Sequence, residues 1–195
     1  MGKRVLLIQG HPDASRAHFC HALADAYADG ASAAGHEVRR VDVAKLDFPL
    51  LKSAAEWEHG ALPASLRDAQ AAIAWAEHIV LVFPLWLGDM PAVVKGFLEQ
   101  VARPDFAFGG EGGNPFALKK LAGRSARVVV TMGMPALVYR WYFRAHSVKS
   151  LERNILGFVG IAPVKATLIG MLGNPKKQTT DQWLAKLRKL GERAE

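Results

Sequence analysis

The sequence predicts one doubly wound α/β domain, an open five-stranded parallel sheet with helices on both faces. Three observations predict it. The apolar runs Val5-Leu6-Leu7-Ile8, Ile79-Val80-Leu81-Val82-Phe83 and Ala126 to Thr131 are of strand length and nearly continuous, as in strands buried on both faces. Apolar residues between these runs recur at helical spacing. Strand and helix alternate about five times, which forces crossover connections and hence parallel pairing. No repeat or linker divides residues 1–195, so a single domain is expected.

Taken in order, Lys3 to Gln9 is the first strand, ended by Gly10. The polar loop His11 to Ala17 leads into a helix over 18–34. Phe19, Leu23, Ala26 and Tyr27 share its face, and Gly35 stops it. Glu37 to Val43 is a short strand anchored by Val38 and Val41. Residues 44–64 are broken by Pro49, Gly60 and Pro63 and predict irregular chain. Ser65 is the expected N-cap of a helix over 66–77. The strand His78 to Phe83 ends at Pro84, and Pro91 opens a helix whose core face is Val93, Val94, Phe97, Leu98 and Val101. The connection 104–124 is long, with a glycine-rich stretch at 109–113. After the strand Ala126 to Thr131 comes an aromatic patch, Tyr139, Trp141, Tyr142 and Phe143. A helix from Ser147 to Val159, a strand from Pro163 to Ile169 and a helix from Thr180 to Arg193 close the chain. Trp183, Leu187 and Leu190 share a face of that last helix.

Composition excludes several classes. Half the residues are hydrophobic and 22% charged, which is globular rather than disordered usage. The single cysteine, Cys20, excludes a disulfide scaffold. No apolar stretch approaches the ~20 residues of a membrane span. No secretory signal is read at the start, so the expected compartment is the cytoplasm. Twenty-five basic against eighteen acidic side chains leave +7, which raises the odds of an anionic partner. The charges are scattered, and neither zinc-finger spacing nor a basic–aromatic platform is present. No metal site and no nucleic-acid partner are expected.

An open parallel sheet binds ligands beyond the carboxyl ends of its strands, where the strand order reverses. In the order 2-1-3-4-5 that point lies between strands 1 and 3. Their loops are Gly10 to Ala17 and Pro84 to Met90. The first carries His11, Pro12, Asp13, Ser15 and Arg16 into a helix N-terminus, which favours an anion; Ser15, Arg16 and His18 can add donors. The second places Trp86 at a strand end, as a ring platform or as a buried wedge. A mononucleotide with a planar heterocycle would satisfy both loops. No GxGxxG dinucleotide fingerprint follows the first strand and no GxxxxGK[ST] phosphate loop occurs, against a Rossmann dehydrogenase or a triphosphatase.

Two strings, Val5-Leu6-Leu7-Ile8-Gln9-Gly10-His11-Pro12 and Phe83-Pro84-Leu85-Trp86-Leu87-Gly88-Asp89-Met90-Pro91-Ala92-Val93-Val94-Lys95-Gly96-Phe97, resemble the NAD(P)H:quinone oxidoreductase family of flavodoxin-like fold. Phe106-Ala107-Phe108 and the strand Arg127 to Gly133 continue the likeness, which covers most of residues 3–160. The resemblance implies a bound flavin (FMN, or alternatively FAD), NAD(P)H as co-substrate, a quinone-like acceptor, a homodimer and two-electron transfer. It further implies that His11, Ser15, His18, Phe19 and Cys20 contact the flavin phosphate and ribityl chain. Pro84, Leu85, Trp86 and Leu87 would touch the ring, and Thr131, Met132 and Gly133 would form the third flavin loop. Tyr139 falls at the family's active-site tyrosine.

Three departures stand out. The first loop is about two residues longer than in many members. Thr131-Met132-Gly133-Met134-Pro135 replaces a Thr-Thr-Gly-Gly string. The active-site histidine position falls on Ala145, with His146 one place further on.

The expected chemistry is hydride transfer through the flavin, with the amides of Met132 and Gly133 and the Tyr139 hydroxyl as donors to the reduced ring, and Tyr139 and His146 as proton donors. The alternatives are an interface role for Tyr139 and none for His146. Cys20 reads as a small core thiol rather than a redox centre. The patch Tyr139 to Phe143, with Trp57 and the 109–113 loop, would roof the ring or form a dimer contact. Two other functions stand beside the quinone reductase: an azo- or nitro-type flavin reductase, and a flavin-binding ancillary subunit of a potassium-efflux transporter, with peripheral membrane contact.

Overall fold

Strand β1 (Arg4–Gln9) is the centre of the architecture, hydrogen-bonded in parallel to β2 (Glu37–Asp42) on one side and β3 (His78–Pro84) on the other. Strands β4 (Ser125–Thr131) and β5 (Val164–Ile169) follow, so the order is β2-β1-β3-β4-β5, all parallel, the flavodoxin-like arrangement. These relations come from a computed structural model that describes residues 2–15, 17–109, 118–172 and 177–195. Arg16 and most of the glycine-rich 109–113 stretch lie outside them.

The continuous apolar runs are used on both faces. Leu6 and Ile8 of β1, with Ile79, Leu81 and Phe83 of β3, enter one core layer; Val5 and Leu7, with Val80 and Val82, enter the other. The first layer is covered by α3 (Arg67–Trp75), α4 (Ala92–Val101) and α6 (His146–Ser150), which continues into a wider π-type turn over Leu151–Leu156. The second is covered by α1 (Phe19–Ala33) and α7 (Lys177–Glu192). Leu23, Ala26 and Tyr27 of α1 are buried as their spacing predicts, while Phe19 is half-buried at the first turn. Leu187 and Leu190 are buried and Trp183 half-buried against them.

Glycine sets how closely α1 and α7 approach. A Cβ on Gly30 would stand 2.0 Å from the Arg188 carbonyl oxygen, and one on Gly191 would stand 2.1 Å from that of Tyr27. Glycine inside a helix costs about 1 kcal/mol relative to alanine; here it allows backbone to meet backbone.

Three local expectations are corrected, and one stretch without an assigned element gains a helix. The stretch 44–64 contains a helix, α2 (Ala54–His59), whose first turn is capped by the Ser53 hydroxyl accepting from the Glu56 N–H at 3.1 Å. Ser65 caps nothing: its hydroxyl donates to the Asp47 carbonyl, and a 3-10 turn (Ala64–Leu66) feeds α3. The aromatic patch begins as a helix, α5 (Ala136–Trp141). The helix expected over 147–159 ends as a regular α-helix at Ser150 and widens from Leu151. Among the described residues no helix is long and apolar enough to cross a membrane.

Candidate functional site

At the carboxyl edge of the sheet, three loops leave β1, β3 and β4 and are tied to one another. The His11 ring stands edge-on to the Trp86 ring, centroids 6.1 Å apart. The Leu85 N–H donates to the Thr131 carbonyl at 2.7 Å. Cys20 Sγ and Thr131 Oγ1 share a hydrogen bond at 3.1 Å beneath the floor. The sequence-predicted residues His11, Ser15, His18, Phe19, Cys20, Pro84, Leu85, Trp86, Leu87, Thr131, Met132 and Gly133 thus lie on three linked loops or on the strand and helix ends that flank them, with Arg16 outside the described residues.

The first loop is held by short polar bonds. The Gln9 side-chain oxygen accepts from the His11 N–H at 3.0 Å, and His11 Nδ1 accepts from the Asp13 N–H at 3.1 Å. A neutral ring whose Nδ1 accepts carries its proton on Nε2, so His11 offers an Nε2–H donor. Burial, and then the neighbouring His18, push its pKa below the usual histidine value, which keeps it neutral. His18 stacks on His11 at 3.7 Å. Asp13 gathers the rest: its carboxylate accepts from the Ser15 N–H at 2.8 Å and hydroxyl at 2.5 Å, and lies 2.7 Å from His18 Nε2. The Ser15 hydroxyl and His18 hold Asp13 well below the usual carboxylate range. Ser15 and His18 are therefore engaged with Asp13 inside the loop. Among the described residues, the amides of Phe19 and Cys20 in the first turn of α1 are left to meet an anion beside the His11 Nε2–H, and the helix dipole adds its field there.

The second loop is a tight hairpin. Trp86 and Asp89 exchange backbone bonds of 2.8 and 3.0 Å across Leu87 and Gly88, both at positive φ (48° and 82°). Two positive φ angles define the turn that matches strand twist, and glycine meets it without strain where leucine does not. The Trp86 side chain is 51% exposed and Leu87 fully so. Half in solvent, Trp86 is not a buried wedge. The amides of Leu85 and Trp86 are engaged, so those of Leu87 and Gly88 are the ones left open among the described residues. In the third loop the Met132 N–H donates to Ile169 at 2.8 Å, which removes it as a ring donor and leaves Gly133.

Tyr139 and His146 lie outside this ring of contacts. Tyr139 is 1% exposed, and its hydroxyl accepts from the Val148 N–H at 3.4 Å, turned into α6. Burial raises its pKa. Ala145 takes a left-handed conformation (φ 50°), and His146 opens α6 as an exposed side chain with its N–H on the Phe143 carbonyl at 3.3 Å. The link from this segment to the site is Ser147, whose hydroxyl donates to the Asp89 carboxylate of the hairpin. Burial pushes the Cys20 thiol up to about 11, which keeps it protonated, as a core thiol should be. Gln9 and Ser147 were passed over in sequence. Only Gln9, a polar side chain closing an apolar strand, left a signal.

A family model described as flavodoxin-like fold matches residues 3–190. The chain belongs to the flavodoxin-like fold family. Within that family it is 27% identical over 169 residues to an uncharacterized NAD(P)H oxidoreductase of Haemophilus influenzae, covering 85% of this chain and 82% of that protein. It is 30% identical over 104 residues to FMN-dependent NADH:quinone oxidoreductase 1 of Colwellia psychrerythraea, covering 53% of this chain and 51% of that one. The chain spans between 51% and 82% of the length of the curated relatives it matches. An NAD(P)H:quinone oxidoreductase structure from Methanothermobacter marburgensis superposes with a TM-score of 0.80 at 24% identity over the whole of both chains, a likeness of fold.

Proposed function

We propose that this member of the flavodoxin-like family is an FMN-dependent NAD(P)H:quinone oxidoreductase. The observation that carries the reading is the closed ring of three loops at the switch point, with amide donors at a helix N-terminus on one side and a half-exposed indole on the other. That donor set fits a flavin mononucleotide. The Phe19 and Cys20 amides and His11 Nε2–H would hold its phosphate end, and Trp86, Leu87 and the Gly133 amide its ring. The bound flavin supplies two-electron hydride chemistry between NAD(P)H and the acceptor. The protein's own groups hold and orient. Neutral His11 keeps a proton at Nε2, Leu87 and Gly88 present amides at the mouth, and Trp86 and Leu87 screen water from it. Relatives whose names specify FMN and NADH or NAD(P)H with quinone support the assignment. The reading extends to a homodimer through the exposed α5 face and to work in a reducing cytoplasm.

The test is to purify the protein, release its chromophore by heat and identify it by chromatography, then follow anaerobic bleaching by NADH and NADPH and reoxidation by a panel of quinones. FMN, fast bleaching and reoxidation by quinone are expected. A colourless protein that takes up no flavin overturns the assignment.

A further inference from the structure

Three histidine rings crowd the entry to α1. His18, the N-cap residue of that helix, stacks on His11, and the His21 centroid lies 5.5 Å from that of His11 and 5.8 Å from that of His18. Their hydrogen bonds fix where each proton can go. His11 Nδ1 accepts from the Asp13 N–H, and His21 Nδ1 accepts from the His18 N–H at 3.1 Å. A ring that accepts at Nδ1 carries its proton on Nε2, and a second proton enters only by breaking that bond. His18 is arranged the other way round. Its Nε2 stands 2.7 Å from the Asp13 carboxylate, so the proton of the neutral ring sits there, and Nδ1 has no partner among the described residues. The ring makes no capping bond to the helix; the His21 N–H goes to the His18 carbonyl at 2.9 Å. A second proton on His18 therefore costs no hydrogen bond and turns an acceptor into a donor.

Charge points to the same ring. Of the three, His18 alone has a carboxylate bonded to it among the described residues, and an opposite charge favours the protonated form. Burial, then His18, and less strongly His21 work against a charge on His11, so the cluster has room for one added proton. The other charged groups facing these rings, Asp42 and Lys45 beyond β2, line one cavity with His11 and His21 and are paired with each other at 2.8 Å. The donors assigned to the flavin phosphate, the Phe19 and Cys20 amides and the His11 Nε2–H, are all neutral, whereas a phosphate monoester is a dianion above about pH 7. The N-cap ring stands at the helix end where that charge arrives. We propose that binding of the flavin phosphate takes up a proton on His18, so that the site selects a phosphorylated flavin by charge and holds it more tightly as pH falls. The proposal rests on the FMN reading above. Because the complex holds one more proton than its separate parts, affinity falls as pH rises.

The test is calorimetry on the full chain stripped of flavin, at about pH 8, where a histidine is ordinarily neutral, in two phosphate-free buffers of different ionisation heat. FMN binding takes up about one proton, and its Kd rises by up to about tenfold per pH unit between about pH 7 and pH 9. Riboflavin, which lacks the phosphate, takes up none. His18→Gln loses the uptake and weakens FMN at pH 7 about tenfold, to a Kd that no longer moves with pH. His18→Lys, which carries its charge throughout this range, binds FMN tightly with no uptake and no pH dependence. His21→Gln keeps the uptake. A wild-type count of zero, an uptake that survives in His18→Gln, or an equal uptake with riboflavin overturns the proposal. If neither flavin binds at any pH, it is the FMN reading that fails, and inorganic phosphate then decides the coupling by NMR. The titration of the His18 ring moves to higher pH when phosphate is added if the coupling holds, and a titration that phosphate does not move overturns it.

Discussion

Asp89 shows how much of this site depends on single side chains. Its carboxylate accepts from the Met90 N–H at 2.6 Å and from the Ser147 hydroxyl, so it fastens the Trp86 hairpin to α6. A hydrogen bond to a charged group contributes about 1.5–3 kcal/mol. Ser147→Ala is expected to raise the FMN Kd several-fold and broaden Trp86 fluorescence, with Ser147→Thr restoring both; unchanged affinity and emission would remove the latch from the account. At the opposite edge of the sheet His78 is buried, with Nδ1 on the Ser125 hydroxyl at 2.8 Å and Nε2 unpartnered. Burial, and then the nearby Lys3, Arg127 and Lys165, push its pKa down to about 4. The unfolded chain, with a pKa near ~6.5, binds the extra proton between those values. The stabilising contribution is therefore complete above about pH 6.5 and is lost as pH falls toward 4, at up to about 1.4 kcal/mol per pH unit. Urea unfolding at pH 7 and pH 5 should show this slope in the wild type and a shallower one in His78→Phe; equal slopes would contradict it.

The pairing of α1 with α7 is argued at the level of elements. Gly30→Ala would press a methyl into the Arg188 carbonyl, and overpacking of this kind typically costs about 1–3 kcal/mol. It should lower Tm by several degrees, and a variant as stable as the parent would show that the helices can part. What was legible in the sequence follows the same physics. β1, β3 and β4 were plain because parallel strands covered on both faces leave unbroken apolar runs; the loops after β1 and β3 were marked as the candidate site by the switch in strand order, and the loop after β4 by the family resemblance. α2 was hidden because Pro49, Gly60 and Pro63 flank it, although the Ser53–Glu56 spacing that caps it was there to see. Ser65 misled because Asp47, eighteen residues away, accepts its hydroxyl. The Met132 amide looked like a site donor until Ile169, brought by another element, proved to engage it, while Tyr139 is buried with its hydroxyl oxygen accepting from the Val148 N–H.

For the whole molecule, the exposed apolar face matters most. Leu137, Trp141, Tyr142 and Phe143 on and after α5, with Met171 after β5, stand in solvent. Contiguous patches of this kind mark interaction surfaces. Light scattering should give twice the chain mass, and Trp141→Asp should shift it to one chain mass. A wild-type monomer that keeps flavin and activity would refute the dimer, and recovery with membranes at low salt but not high salt would point instead to a lipid or transporter contact. The two coverings of the sheet differ in a way that bears on how such a molecule diversifies. On the α3/α4/α6 side the layers meet through side chains, from Ala69 and Ala72 to Phe97 and Leu151, whose volumes can be exchanged in compensating pairs. On the α1/α7 side main chain rests on main chain at Gly30 and Gly191, and no compensating exchange exists. Over generations, side chains on the first side are free to drift while the helix that leads out of the loop after β1 stays where it is.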